Sequence, residues 1–318
     1  MRIVIALGGN AMTSSDGSAR PEDQRAAIRR ASESIADLVA DGHDVLLTHG
    51  NGPQVGNLLV KNELTSSHVP PVPLDWCGAQ TQATIGMLII NALDESLAQR
   101  GIDRRCTSVV SRTLVDSDDE RFVNPTKPIG RYLTKEETQP LMDQGQRFVE
   151  VADRGWRRVV ASPAPVECLD GPAADALMDA GFIVVCSGGG GIPTIRDRNG
   201  AYIGVEAVID KDLTAALIAA QVKADRLIIA TDVDSVVADW GTPHAKPIDE
   251  VTAAEMRSIA ADQGFAAGSM GPKVEAVTSF AESTQGTGII TSLVRIGAAI
   301  DGHVGTRVTP TQKQPEHA

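Results

Sequence analysis

Short aliphatic runs alternating with amphipathic helical stretches constrain this chain more than any other feature. The runs at residues 2–7, 44–48, 106–110, 182–186, 226–231 and 288–291 are β-branched or aliphatic with little polar alternation. That is the pattern of strands buried on both faces. Between them, residues 21–40 place Ile28, Ala31, Ile35, Leu38 and Val39 on one helical face, with Gly42 beyond as a stop. Residues 83–99 repeat the pattern with Met87, Ile90, Leu93 and Leu97, ending at Gly101. The alternation predicts an α/β fold, a mostly parallel sheet with helices on both sides. A length of 318 residues suits one large α/β unit or two domains.

Two regions break the pattern. Residues 112–161 are polar and turn-rich, with Thr134 and Glu137 at capping-box spacing before a short helix that Pro140 is expected to interrupt. Residues 148–152 and 157–161 flank Asp153-Arg154-Gly155-Trp156 and predict a hairpin, so the region is expected to be a small inserted subdomain within a single domain spanning 1–318. In the second break, residues 192–208, Asn199-Gly200 predicts a hairpin closed by a type I′ turn. The polar tail from Pro310 is expected to fray.

Glycines gather where strands end, the edge at which open parallel sheets bind ligands. Gly8-Gly9-Asn10 follows the first run, Gly50-Asn51-Gly52-Pro53 the second, and Gly188 to Gly191 the fourth. Such loops let backbone N–H groups approach an anion at a helix N-terminus. Familiar fingerprints do not fit. The segment Gly268-Ser269-Met270-Gly271-Pro272-Lys273 lacks the GxxxxGK(S/T) spacing, and no GxSxG occurs. The stretch from Gly50 to Gly56 is one residue too long for a Rossmann fingerprint, which leaves a dinucleotide-dependent oxidoreductase as an alternative from another class.

Charge narrows the partners. A net charge of −12 and only ten aromatics (three Trp, two Tyr, five Phe) argue against nucleic acid and anionic membranes. Any anionic ligand therefore needs local cations. Lys127 lies in a proline-stiffened turn, and Lys211 and Lys273 each open a helix, where the macrodipole disfavours a cation unless an anion binds nearby. Asp210 and Asp212 either cap the helix at Lys211, orient that lysine or hold Mg²⁺. The four cysteines have no metal-site spacing, so no zinc or thioredoxin-type site is expected and the thiols are expected to be reduced. Residues 3–7 are too short an apolar run for a signal peptide, and no stretch approaches the roughly 18 residues of a membrane span. A cytoplasmic protein is expected.

Taken in chain order, the segments Ala6-Leu7-Gly8-Gly9-Asn10-Ala11, Thr48-His49-Gly50-Asn51-Gly52-Pro53-Gln54-Val55-Gly56, Pro125-Thr126-Lys127-Pro128-Ile129-Gly130, Gly188-Gly189-Gly190-Gly191-Ile192-Pro193 and Gly204-Val205-Glu206-Ala207-Val208-Ile209-Asp210-Lys211-Asp212 resemble the carbamate kinase branch of the amino acid kinase family. The resemblance implies a three-layer αβα sandwich, a protruding lid subdomain and a homodimer. It implies the reaction ATP + carbamate ⇌ ADP + carbamoyl phosphate, with Mg²⁺ accompanying ATP or ADP, run towards ATP in arginine catabolism. By position, Lys127, Lys211 and Lys273 would surround the transferring phosphoryl group, and Asp210 would organise the lysines. Gly8, Gly9, Asn10, Gly50, Asn51 and Gly52 would hold the carbamate and phosphate end. Thr231, Asp232, Val233, Met270 and Gly271 would hold the nucleotide. The chain departs from the family pattern at residues 80–83, Arg131 and Asp232. These departures leave two alternatives, a kinase of the same fold for another small carboxylate or carbamate-like acid, and a nucleotide-binding protein with little turnover.

Overall fold

The six expected aliphatic strands lie side by side in one sheet of eight. The computed structural model describes residues 1–9, 20–265 and 270–311. The chain opens with β1 (Arg2–Leu7), α1 (Pro21–Ala40), β2 (Asp44–His49), α2 (Gln54–Thr65), α3 (Leu74–Gln99) and β3 (Cys106–Ser108). The polar stretch holds β4 (Arg112–Val115), β5 (Lys127–Leu133), α4 (Lys135–Asp143), β6 (Arg147–Val151), β7 (Gly155–Val160) and β8 (Pro165–Cys168). Next come α5 (Gly171–Asp179), β9 (Ile183–Val185), β10 (Ile192–Arg196), β11 (Tyr202–Gly204), α6 (Lys211–Gln221), β12 (Arg226–Thr231), β13 (Val237–Ala238) and β14 (Lys246–Pro247). The chain closes with β15 (Glu250–Thr252), α7 (Ala253–Gln263), α8 (Met270–Ser283), β16 (Thr287–Ser292), α9 (Ile296–Ile300) and β17 (Thr306–Thr309).

The main sheet runs β15-β17-β16-β12-β1-β2-β9-β3. All pairs from β16 to β3 are parallel, and only β16 with β17 is antiparallel. Alternate residues serve two cores. Ile3, Ile5, Val45, Leu47 and Ile228 pack with Ile28 and Ile35 of α1 and Ile85, Ile89 and Leu93 of α3. Val4, Leu46, Leu227 and Ile229 pack with Ile218 of α6 and Val277 and Phe280 of α8. Burial on both faces is why these strands lack polar alternation. The result is the expected three-layer α/β sandwich.

Around this frame, Arg112–Val115 joins β8, β10 and β11 in a four-stranded sheet, while β5, β7 and β6 form a three-stranded sheet flanked by α4. The hairpin at Asp153 is present as β6 and β7.

Four local expectations are corrected. Helix α3 begins at Leu74 rather than residue 83, and its buried face runs through Cys77, Thr81, Ile85, Ile89, Leu93 and Leu97. Met87 is exposed because it lies off that i, i+4 stripe. Pro140 does not stop α4, which continues to Asp143. The Thr134–Glu137 capping box secures its first turn, and the proline removes one internal bond from a short helix. The β10–β11 hairpin forms, but the Asp197 carbonyl accepts the Gly200 N–H and only Gly200 has positive φ, at 85°. The turn is therefore a tight turn followed by a left-handed glycine, since type I′ would need Asn199 there too. The expected fraying of the tail falls mostly outside the described residues.

Candidate active site

Parallel strands place their carboxyl ends at one edge, and the glycine loops converge there. A cavity of about 640 Å³ is walled by Gly9, Gly50, Asn51, Gly52, Gly189 and by Lys127, Asp210, Lys211, Asp212 and Lys273. Asn10 belongs to the same expected loop but lies outside the described residues, as do residues 266–269 before α8. The Gly8 and Gly50 N–H groups are already committed to the Ala230 and Leu7 carbonyls, so those glycines extend strand pairing rather than offer free donors. Asn51 and Gly52 have no such backbone partner among the described residues. Gly190 has φ 90°, and a Cβ there would come within 2.6 Å of the Ile209 carbonyl oxygen. Only glycine lets this loop press against the segment that carries Asp210 and Lys211.

The charged residues form one network. Lys127 Nζ, at the start of β5, donates to Asp210 Oδ2 at 3.1 Å. Asp210 also caps α6, its Oδ1 accepting the Asp212 N–H at 2.9 Å. Asp212 is the shared counter-ion, with Lys211 on one oxygen and Lys273 on the other, the latter at 2.9 Å. Its side chain is 4% exposed. Burial opposes the charged carboxylate, but the two ammonium groups outweigh it and hold Asp212 below the usual carboxylate range. Asp210 pairs with Lys127, and Asp212 is the carboxylate that joins Lys211 to Lys273. The conflict of each lysine with its helix dipole is relieved by Asp212, so no bound anion is required to explain the placement.

The expected nucleotide residues are not walls of this cavity. Thr231 ends β12 at the same edge, its hydroxyl donating to Asp232 Oδ1 at 3.0 Å, with Val233 following. Met270 and Gly271 open α8 just before Pro272 and Lys273, which do line the cavity.

Three contributors escaped the sequence reading. Gln82, buried on α3, donates to the Ser111 and Gly188 carbonyls at 3.0 and 2.9 Å and pins the glycine loop. Arg157 of β7 lines the cavity, and only its position next to Arg158 on an alternating strand signalled that one of the two turns inward. The third is His49, fully buried at the end of β2, with Nδ1 2.8 Å from the Gly50 carbonyl. Burial pushes its pKa down to about 4, against the Gly50 carbonyl and with help from the Lys211 charge. An unfolded histidine takes its proton near pH 6.5, so acid favours unfolding between about pH 6.5 and 4. Lowering the pH from 7 to 4 is expected to cost about 3 kcal/mol through this residue. Urea titrations of wild type and His49→Asn at both pH values check it, and equal pH dependence in the two would refute it.

Among the described residues, no group of three or more His, Cys, Asp or Glu could hold a metal. Both carboxylates in the cavity are committed to lysines.

The amino acid kinase family model matches residues 1–292. Carbamate kinase 3 of Staphylococcus aureus is 42% identical over 311 residues, 96% of this chain and 99% of the relative. A carbamate kinase-like protein of Escherichia coli is 43% identical over 309 residues, 96% of this chain and 98% of its own. The structure of a Giardia lamblia carbamate kinase bound to AMP-PNP superposes with a TM-score of 0.93 at 39% identity, covering 98% of each chain. With the family model matched over most of its length and such relatives aligned nearly end to end, this chain belongs to the amino acid kinase family, in its carbamate kinase branch.

Proposed function

We propose that this phosphotransferase catalyses reversible phosphoryl transfer between ATP and carbamate, and runs towards ATP in arginine catabolism. The observation that carries the reading is the convergence of Lys127, Lys211 and Lys273 on one cavity, each oriented by a carboxylate. Phosphoryl transfer needs positioning and charge neutralisation more than covalent chemistry, and fixed ammonium groups supply both. In the ATP-forming direction a β-phosphate oxygen of ADP attacks the phosphorus of carbamoyl phosphate. The bond to the carbamate oxygen breaks, and carbamate leaves with that electron pair. Lys211 and Lys273 neutralise the equatorial oxygens, while the Asn51 and Gly52 N–H groups meet the anionic end. An acyl phosphate is a stronger phosphoryl donor than ATP, which favours this direction. Binding of AMP-PNP by the Giardia relative supports an adenine nucleotide, held along Thr231, Asp232, Val233, Met270 and Gly271. Mg²⁺ comes with the nucleotide as part of the substrate, because it is held mainly by phosphates and water and needs at most one or two carboxylates.

The experiment is coupled detection of ATP from ADP and carbamoyl phosphate, run beside a panel of other acyl phosphates. Turnover with carbamoyl phosphate is expected. Turnover only with another acyl phosphate would support the second reading, a kinase for a different small acid. Arg131 favours that reading by adding a cation to the cavity wall where the family pattern has proline.

Residues 112–161 act as a lid in the same proposal. Lys127 is carried on the three-stranded sheet and crosses to Asp210 on the main body, so closure would bring its charge onto the substrate and exclude water from a labile acyl phosphate. Lys127→Ala is expected to raise KM for carbamoyl phosphate about 10- to 100-fold and leave KM for ADP nearly unchanged. Wild-type kcat/KM for carbamoyl phosphate would make the insertion purely structural.

The reading includes a homodimer and a cytoplasmic location. Exposed Trp76, Tyr202 and Ile203 offer apolar surface for a second copy where the start of α3 meets β11 at Asp75 and Gly204. The four free cysteines fit a reducing compartment. No helix among the described residues is long and apolar enough to cross a membrane.

A further inference from the structure

The cavity wall carries five cationic side chains, Lys127, Arg131, Arg157, Lys211 and Lys273, against two carboxylates, Asp210 and Asp212. Four of the five have an acidic partner. Lys127 has Asp210, Lys211 and Lys273 share Asp212, and Arg131 donates to Glu137 Oε1 at 3.1 Å. Arg157 is different. Among the described residues no carboxylate pairs with it, whereas its neighbour Arg158 turns to the other face of β7 and pairs with Glu206 at 3.4 Å.

Its orientation is nevertheless built. The β5–β7 ladder shifts register between Ile129 and Tyr132, leaving Gly130 and Arg131 outside the pairing. This bulge turns the Gly130 carbonyl onto Arg157, which donates through Nε at 3.3 Å. The guanidinium lies over the Tyr132 ring at 5.3 Å, and Arg154 lies over the same ring at 4.4 Å. Nε and the ring together fix the plane of the guanidinium, and the terminal N–H groups have no partner among the described residues. A fixed, planar fork of donors can pair with two oxygens of a planar carboxylate-like group as well as with a phosphoryl group, and in this cavity three lysines already stand as point charges for the phosphoryl group, which leaves the fork for the planar end.

We propose that Arg157 binds the planar carbamate end of the substrate, and so fixes the acyl group while the lysines neutralise the phosphoryl group. The inference rests on the carbamate kinase reading and adds a residue to its site. The test is steady-state kinetics of R157Q and R157K in the ATP-forming direction, with melting temperature recorded for each. R157Q is expected to raise KM for carbamoyl phosphate about 10- to 100-fold while KM for ADP stays within about twofold. R157K keeps the charge without the fork and is expected to fall between R157Q and wild type. Unchanged KM for carbamoyl phosphate in R157Q overturns the proposal. So does an equal rise in KM for both substrates or a large fall in melting temperature, since those mark a structural role. Wild type that does not turn over carbamoyl phosphate overturns the carbamate kinase reading and this assignment together, whereas an active wild type with an unaffected R157Q removes Arg157 alone.

Discussion

Replacing Lys211 or Lys273 by alanine is expected to lower kcat roughly 10²- to 10³-fold, the range found when one preorganised donor is removed from a developing charge. Both ammonium groups are held by Asp212 in a cavity whose donors need little reorganisation as the reaction proceeds. The loss is expected in kcat more than in KM, because charge at the phosphoryl group is matched best in the transition state. The fold is expected to survive either change, since Asp212 keeps one lysine as partner. Single-turnover ATP formation at saturating substrate measures the chemical step directly. Near-normal rates in both variants would remove these lysines from the chemistry.

Asp212→Asn is expected to have the larger combined effect. The substitution keeps shape but leaves two ammonium groups facing each other without a buried counter-charge, and breaking such a pair costs about 3–5 kcal/mol. Activity is expected to fall at least as far as in the lysine variants, because both lysines lose the group that aims them. The pH dependence follows from the sign of the shift. A carboxylate held below its usual range contributes stability that is fully present above the unfolded pKa, near 3.9, and is lost as pH falls through the lower folded value. Asp212→Asn is therefore expected to flatten the acidic limb of the stability profile below about pH 4, where the pH range in which His49 acts ends. Denaturant titrations from pH 7 to pH 3 check this. Wild-type stability and kcat in Asp212→Asn would show that the lysines are aimed by something else.

The sheet and its ligand edge were legible in the sequence because their determinants are local. A strand buried on both faces must be aliphatic throughout, so β1, β2, β9 and β12 stand out in a short window. A loop pressed against a neighbouring backbone must be glycine, as at Gly190. The strands β15 and β17 at one end of the sheet were not legible. They are short, and what makes them strands is pairing with each other and with β16. The start of α3 was also obscure, because Leu74 and Cys77 pack in a small cluster with Val55, Leu59, Ile129 and Val160 rather than in the two main cores.

Sequence alone determined the layered α/β architecture, the glycine loops at one sheet edge, and the three lysines with an aspartate on each side of Lys211. The tertiary structure decided which carboxylate serves which cation. Lys127 meets Asp210 across 83 residues, and Lys273 meets Asp212 across 61. The two aspartates stand two residues apart, one capping α6 from outside and the other turned inward, and no local pattern separates those fates. The same holds for Arg157, which has no acidic partner among the described residues and whose plane is fixed by a bulge on the neighbouring strand. Periodicity is written in each segment, whereas charge pairing depends on which segments the folded chain brings together.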